Sequence, residues 1–240
     1  MNKEREIRSI WKLLLLHLFP GIVASIIYVL MLKYGVLKGY PKLVILSLAW
    51  TFAAIPIEGY LFYVARKEEG SFNIFKILGL KSKLKVKEYI FYTLLLFLVA
   101  GGLMTVLKPL TNYMLNYLFS WIPSWYNYNQ DISQFSRYFI MITIVVDFLV
   151  MTLIGPIIEE HYFRGYLLER MKWMGAYGLL LNVVLFSVYH FWSPWEIIAR
   201  TAAMLPFYYC VYKKDSLKLG ILAHCLCNFV DVVGFVMLLK

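Results

Sequence analysis

The sequence predicts an all-α, polytopic membrane protein, a bundle of about seven or eight transmembrane helices. Three observations carry that expectation. Of the 240 residues, 61% are hydrophobic, 18% are aromatic and only 16% are charged, where soluble domains carry about 25% charged residues. The apolar residues gather into runs close to the roughly 20 that a spanning helix needs. The charge, formally +10, sits in the connections between those runs, as the positive-inside rule leads one to expect. A basic balance can also signal nucleic acid, but no segment joins a basic stripe to a soluble binding fold, so no nucleic-acid partner is expected. The expected partner surface is the lipid bilayer.

The first run covers residues 10 to 32, after Lys3, Arg5, Arg8 and Lys12. It is longer than the roughly 7 to 15 apolar residues of a signal peptide and lacks a clear A-x-A site, so it reads as a retained span. Further runs cover residues 43 to 65, 89 to 107, 138 to 155, 177 to 190, 195 to 212 and 217 to 239. Pro156 directly follows Gly155, a pairing that often ends a helix. Residues 156 to 173 therefore read either as a cytoplasmic connection or as an eighth, membrane-embedded helix.

Orientation follows from the connections. Residues 66 to 87 hold seven cations (Arg66, Lys67, Lys76, Lys81, Lys83, Lys85 and Lys87), whereas residues 108 to 137 hold two. The first connection is expected in the cytoplasm and the second outside, with the N-terminus cytoplasmic. The second is also rich in Tyr, Trp and Asn, a composition suited to the outer interface. No internal repeat, Pro-rich linker or low-complexity tract divides the chain, so residues 1 to 240 are expected to form a single membrane domain. Cys225 and Cys227 point about 200° apart on a helix, and with Cys210 they suggest packed thiols, not a disulfide or a zinc knuckle.

Against this background Glu159, Glu160 and Arg164 stand out, because ionisable groups at membrane depth are costly and usually functional. Glu160 and Arg164 are four residues apart and share a helix face, with Glu on the favourable N-terminal side. Glu159 is rotated by about 100° and can face a cavity while its neighbour makes the pair. An interfacial charge cluster of all three is the alternative reading. His190 ends an apolar run one turn after Phe186. His224 and Asn228 lie on one face of the last span, each needing a partner that lipid cannot supply, although helix packing alone could account for them. Glu58 and Asp147 are further acids in apolar spans, placed to line a cavity or cap a broken helix, and His161 could accompany a carboxylate or lie at the interface.

Taken in order, Glu159-Glu160-x-x-x-Arg164, Phe186-x-x-x-His190 and His224-x-x-x-Asn228 resemble the three motifs of the CAAX protease and bacteriocin-processing family, also called Abi, of intramembrane proteases. The resemblance covers residues 138 to 232, and His161 departs from it at a position that is usually apolar. It implies a glutamate-dependent endopeptidase with about eight helices, in which Glu159 is the general base, His190 shares in activating water, and His224 with Asn228 stabilises the oxyanion. Glu160, Arg164 and Phe186 would then support the site.

Such chemistry needs a positioned base and preorganised donors where charge develops, and neither Ser187 nor Cys225 has the surroundings of a nucleophile. No cofactor is required. Two His and one or two Glu are also the ligands of catalytic zinc sites, so a zinc-dependent protease using the same residues is the alternative, although the contiguous His-Glu-x-x-His signature is absent. A noncatalytic immunity-type protein and a small transporter are the readings from other classes. The expected partner is a peptide, or the C-terminal segment of a membrane-associated, lipidated or leader-bearing protein. The expected location is a bacterial cell membrane, with the cavity opening toward the cytoplasm.

Overall fold

Why the apolar runs become helices is clearest at their ends. In the computed structural model, which describes residues 6–78 and 84–239, Ser9 caps α1 (Ile10–Lys33) by accepting from the Lys12 N–H at 3.3 Å. Such a cap satisfies one of the orphan donors of a first turn. Helix α2 (Lys42–Glu69) stops at Gly70, which adopts the left-handed conformation with φ 66°, a geometry that glycine tolerates without a steric penalty. A short α3 (Ile74–Leu78) and α4 (Val86–Val106) follow. Next come α5 (Lys108–Tyr113), with a π turn Met114–Leu118, and α6 (Arg137–Leu168). The chain continues through α7 (Ala176–Tyr189), α8 (Ile197–Lys214) and α9 (Leu217–Met237), the last capped by Ser216. Among the described residues there is no strand. Lys3, Arg5, Lys81 and Lys83, used above for orientation, lie outside the described residues.

Each of the seven apolar runs is a helix. Five of them, α1, α2, α4, α6 and α9, are long and apolar enough to cross a membrane. Helix α7 is shorter, at 14 residues, or about 21 Å, and α8 carries Arg200; both pack within the bundle. Helix α1 lies on α2 and α7, α4 lies on α8 and α9, and α6 runs between α2 and α9. Helices α1 and α4 turn large apolar side chains outward, Trp11, Leu15 and Phe19 on one and Phe91, Leu94 and Leu98 on the other. Apolar faces this extensive are what a bilayer covers. The protein is therefore a multi-pass, all-α membrane protein.

The centre of the fold departs from one expectation. Gly155 and Pro156 do not interrupt α6, which is helical from Arg137 to Leu168, so residues 156 to 168 continue the fourth span. Hydrogen-bond register is the physical reason. From Asp147 to Ile154 the helix is in the wider π register, and the Gly155 N–H donates to the carbonyl of Val150, five residues back. The same register would pair the Met151 carbonyl with residue 156, but proline has no N–H to give. The side chain of Asn228 in α9 supplies it instead, donating to Met151 O at 2.8 Å. A second π stretch, Glu160–Leu168, carries the charged motif.

The connector between α5 and α6 is tied across one end of the bundle. Lys42 donates its backbone N–H to Gln130 at 2.6 Å and its ammonium to the Asn127 carbonyl at 3.1 Å. Tyr28 and Tyr126 add hydroxyl bonds to the carbonyls of Tyr126 and Phe191, both at 3.1 Å. Exposed Asp131 accepts from the Ser133 hydroxyl, the Ser133 N–H and the Gln134 amide. Those bonds, the Ser133 hydroxyl foremost, hold its carboxyl below the ordinary aspartate range.

Candidate active site

A cavity of about 600 Å³ opens among α2, α4, α6 and α9, and the start of α8 and the connector contribute to its wall. Leu43 and Leu46 from the first turns of α2, Met104 and Thr105 from the end of α4, and Tyr128 to Gln130 of the connector all line it. It therefore runs from Glu159 toward the connector end of the bundle, away from the cation-rich end expected to face the cytoplasm. The expectation of a cytoplasmic opening rested on residues 156 to 173 descending through the inner leaflet, whereas the residues that line the cavity lead toward the connector.

Glu159, His190, His224 and Asn228 all line this cavity, as does Phe186. Glu159 and Glu160 are both buried, yet their surroundings differ. Glu160 Oε1 lies 2.6 Å from Arg164 Nη1, and the two side chains are 0% and 2% exposed. The Arg164 guanidinium is also sandwiched by rings, 3.7 Å from the centroid of Tyr208 and 4.7 Å from that of Phe186. A planar cation is well matched to such faces. Glu159 instead accepts the Tyr189 hydroxyl on Oε1 at 2.7 Å, and Tyr189 in turn accepts the Trp50 indole N–H at 2.5 Å. Its other oxygen, Oε2, lies 3.7 Å from His224 Nε2.

His224 is thus suspended between the two carboxylates. Its Nδ1 is 2.9 Å from Glu160 Oε1, and because that oxygen is a carboxylate acceptor already bound to Arg164, Nδ1 is the donor and carries a proton. The approach of α9 to α6 that makes this possible occurs at Gly220, where any Cβ would collide with the Glu160 carboxylate. This contact also explains how His224, only two turns into α9, reaches a carboxylate deep in α6. Gly21 plays the same part on the far side, since a Cβ there would overlap the backbone carbonyl of Tyr189.

His190 takes a different position from the one that its pairing with Glu159 leads one to expect. Its Nδ1 donates to the Phe186 carbonyl at 2.8 Å, an acceptor left free where α7 ends at Tyr189. In the neutral ring Nε2 is then the nitrogen free to accept. The imidazole beside Glu159 is that of His224, and His190 makes no direct polar contact with Glu159. His161 is buried and donates to Ile157 O at 2.6 Å. Asp147 lines the cavity, whereas Glu58 sits half-buried on α2 away from it.

Tyr189 and Trp50 escaped the sequence reading. The only signal for Tyr189 was its place beside His190, and Trp50 lies more than a hundred residues away in a span with no motif. Among the described residues no group of three His, Cys, Asp or Glu side chains is placed to hold a metal ion.

Fold and site together define a polytopic helical membrane protein with a buried carboxylate and imidazole chamber sunk between its spans. A family model described as Rce1-like, type II CAAX prenyl endopeptidase, matches residues 141–230, and over these residues the chain is similar to that family of peptide hydrolases. The match contains every motif residue from Glu159 to Asn228. No curated protein and no solved structure matches the chain.

Proposed function

We propose that the protein is a glutamate-dependent intramembrane endopeptidase, acting as one membrane domain and needing no metal. The observation that carries this reading is the split environment of the Glu pair. One oxygen of Glu159 is held by Tyr189 and the other is left to the cavity beside His224, while Glu160 is committed to Arg164.

In this mechanism Glu159 Oε2 removes a proton from a water, and the oxygen of that water adds to the carbonyl carbon of the scissile bond. His190 Nε2, an acceptor by the bonding of its other nitrogen, orients the water across the cavity. The new oxyanion receives hydrogen bonds from His224 Nε2 and from the Asn228 N–H that Met151 does not use. Donation from Nε2 requires a ring that carries both protons, and the carboxylates on either side are the partners that hold such a cation. Glu159 then passes its proton to the departing amine as the C–N bond breaks.

The substrate would be a peptide, or the C-terminal segment of a membrane-associated protein, prenylated as the family description indicates or bearing a leader. A cavity of about 600 Å³ admits several residues of extended chain. With the N-terminus in the cytoplasm of a bacterial cell, the wide part of the cavity lies in the outer half of the bilayer. That placement favours a substrate that enters the membrane.

The test is cleavage of a farnesylated CAAX-type peptide by purified protein in detergent, with His224→Ala and His190→Ala beside the parent. Rates at least about 100-fold lower in both folded variants are expected, the usual scale for loss of an acid–base or oxyanion group. Unchanged rates would sink the assignment and favour a noncatalytic, immunity-type relative.

A further inference from the structure

The cavity is more acidic than amide hydrolysis requires. Four carboxylates line it, Asp147, Glu159, Glu196 and Asp231, against the single guanidinium of Arg200. Arg200 is already engaged, paired with Glu196 and bonded to the Ser193 hydroxyl at 2.9 Å. Glu159 belongs to the reaction centre. Asp147 and Asp231 remain, and neither has an ion pair or hydrogen bond among the described residues. Asp147 is 3% exposed, and its Oδ2 is buried without a partner. An unpartnered acid buried in a membrane protein is costly.

Both acids stand on the same line as the catalytic residues. In α9, His224, Asn228 and Asp231 follow at four and three residues, one stripe of an α-helix. In α6, Asp147, Met151, Gly155 and Glu159 all line the cavity. Twelve residues of ordinary α-helix would turn Asp147 about 120° away from Glu159. The π register from Asp147 to Ile154, with its wider turn, brings it back to the cavity face, and π turns of this kind are frequent at functional sites. The two acids line the same cavity, Asp147 from α6 and Asp231 from α9.

Taking the endopeptidase reading as its basis, we propose that Asp147 and Asp231 form a subsite for a cationic side chain, Lys or Arg, of the peptide being cut. Asp231 lies seven residues beyond His224, about 10 Å along the helix. An extended peptide advances about 3.3 Å per residue, so the cation belongs two or three residues from the scissile bond. An ammonium or guanidinium placed there gives the two unpaired carboxylates the partner they lack.

The test is binding, measured by fluorescence anisotropy on the full-length Glu159→Gln protein in detergent. Labelled farnesylated peptides that differ only by Lys, norleucine or Glu at each of three positions on either side of the cleaved bond serve as probes. The subsite predicts tighter binding of the Lys peptide, by about 10- to 100-fold, at one position, since hydrogen bonds to charged groups are worth factors of that order. Asp147→Asn and Asp231→Asn should each erase the preference, and Asp231→Lys should transfer it to the Glu peptide. Equal affinities for Lys and norleucine peptides at every position, including no measurable binding of either, would overturn the subsite. Cleavage by the parent without a Lys preference would overturn it too, while leaving the endopeptidase reading intact.

Discussion

Asn228 donates its side-chain N–H to the carbonyl of Met151 at 2.8 Å, filling the place that Pro156 leaves vacant in the π register of α6. The bond joins the last helix to the one that carries Glu159, and it does so two turns from that carboxylate. Asn228→Ala should therefore destabilise the fold by about 1 to 3 kcal/mol, the cost of an unsatisfied buried acceptor. Pro156→Ala restores a backbone N–H, so the double variant should lose less stability than the sum of the singles. Thermal unfolding in detergent checks this, and strict additivity would show that the carbonyl was never orphaned.

Tyr189 fixes one oxygen of Glu159, and Trp50 fixes Tyr189. Tyr189→Phe keeps the ring packed against Phe163 and Phe186 but frees that oxygen. Peptide cleavage should show kcat lowered by about 10- to 100-fold with KM little changed, as expected of a positioning group. A fall confined to KM would place Tyr189 in substrate binding instead.

The pair of Glu160 and Arg164 is buried on all sides, and breaking a buried ion pair by removing one partner costs about 3 to 5 kcal/mol. Glu160→Gln should therefore lower the melting temperature markedly and also release His224, whose Nδ1 it anchors. Glu159→Gln should melt near the parent temperature. Similar melting temperatures for the two variants would erase the distinction between them.

The proposed metal-free mechanism, with no three-ligand cluster among the described residues, gives an expectation for metal removal. Protein stripped with a strong chelator and assayed in metal-free buffer should keep its full cleavage rate. Loss of activity that zinc restores would make the site a metalloprotease.

Much of this was legible in the sequence, and what was hidden has physical causes. The seven apolar runs are all helices because length and hydropathy decide membrane spans, and Glu160 with Arg164 meet because four-residue spacing places them on one face. The continuation of α6 through Gly155 and Pro156 was not legible, since π register leaves no trace in hydropathy and the bond that permits it comes from Asn228, more than seventy residues away. The same register hid the alignment of Asp147 with Glu159. Tyr189 was missed because a tyrosine in an apolar run reads as packing. The partner of Glu159 among the imidazoles depended on helix approach at Gly220, which periodicity cannot report.

The central claim is that Glu159 is the base that activates water while Glu160 supports it. Mass spectrometry of a farnesylated CAAX-type peptide incubated with parent, Glu159→Gln and Glu159→Asp proteins tests it most directly. The account predicts a single cleaved product from the parent, none from Glu159→Gln at an unchanged melting temperature, and a slow trace from Glu159→Asp. Product from Glu159→Gln at the parent rate would contradict it.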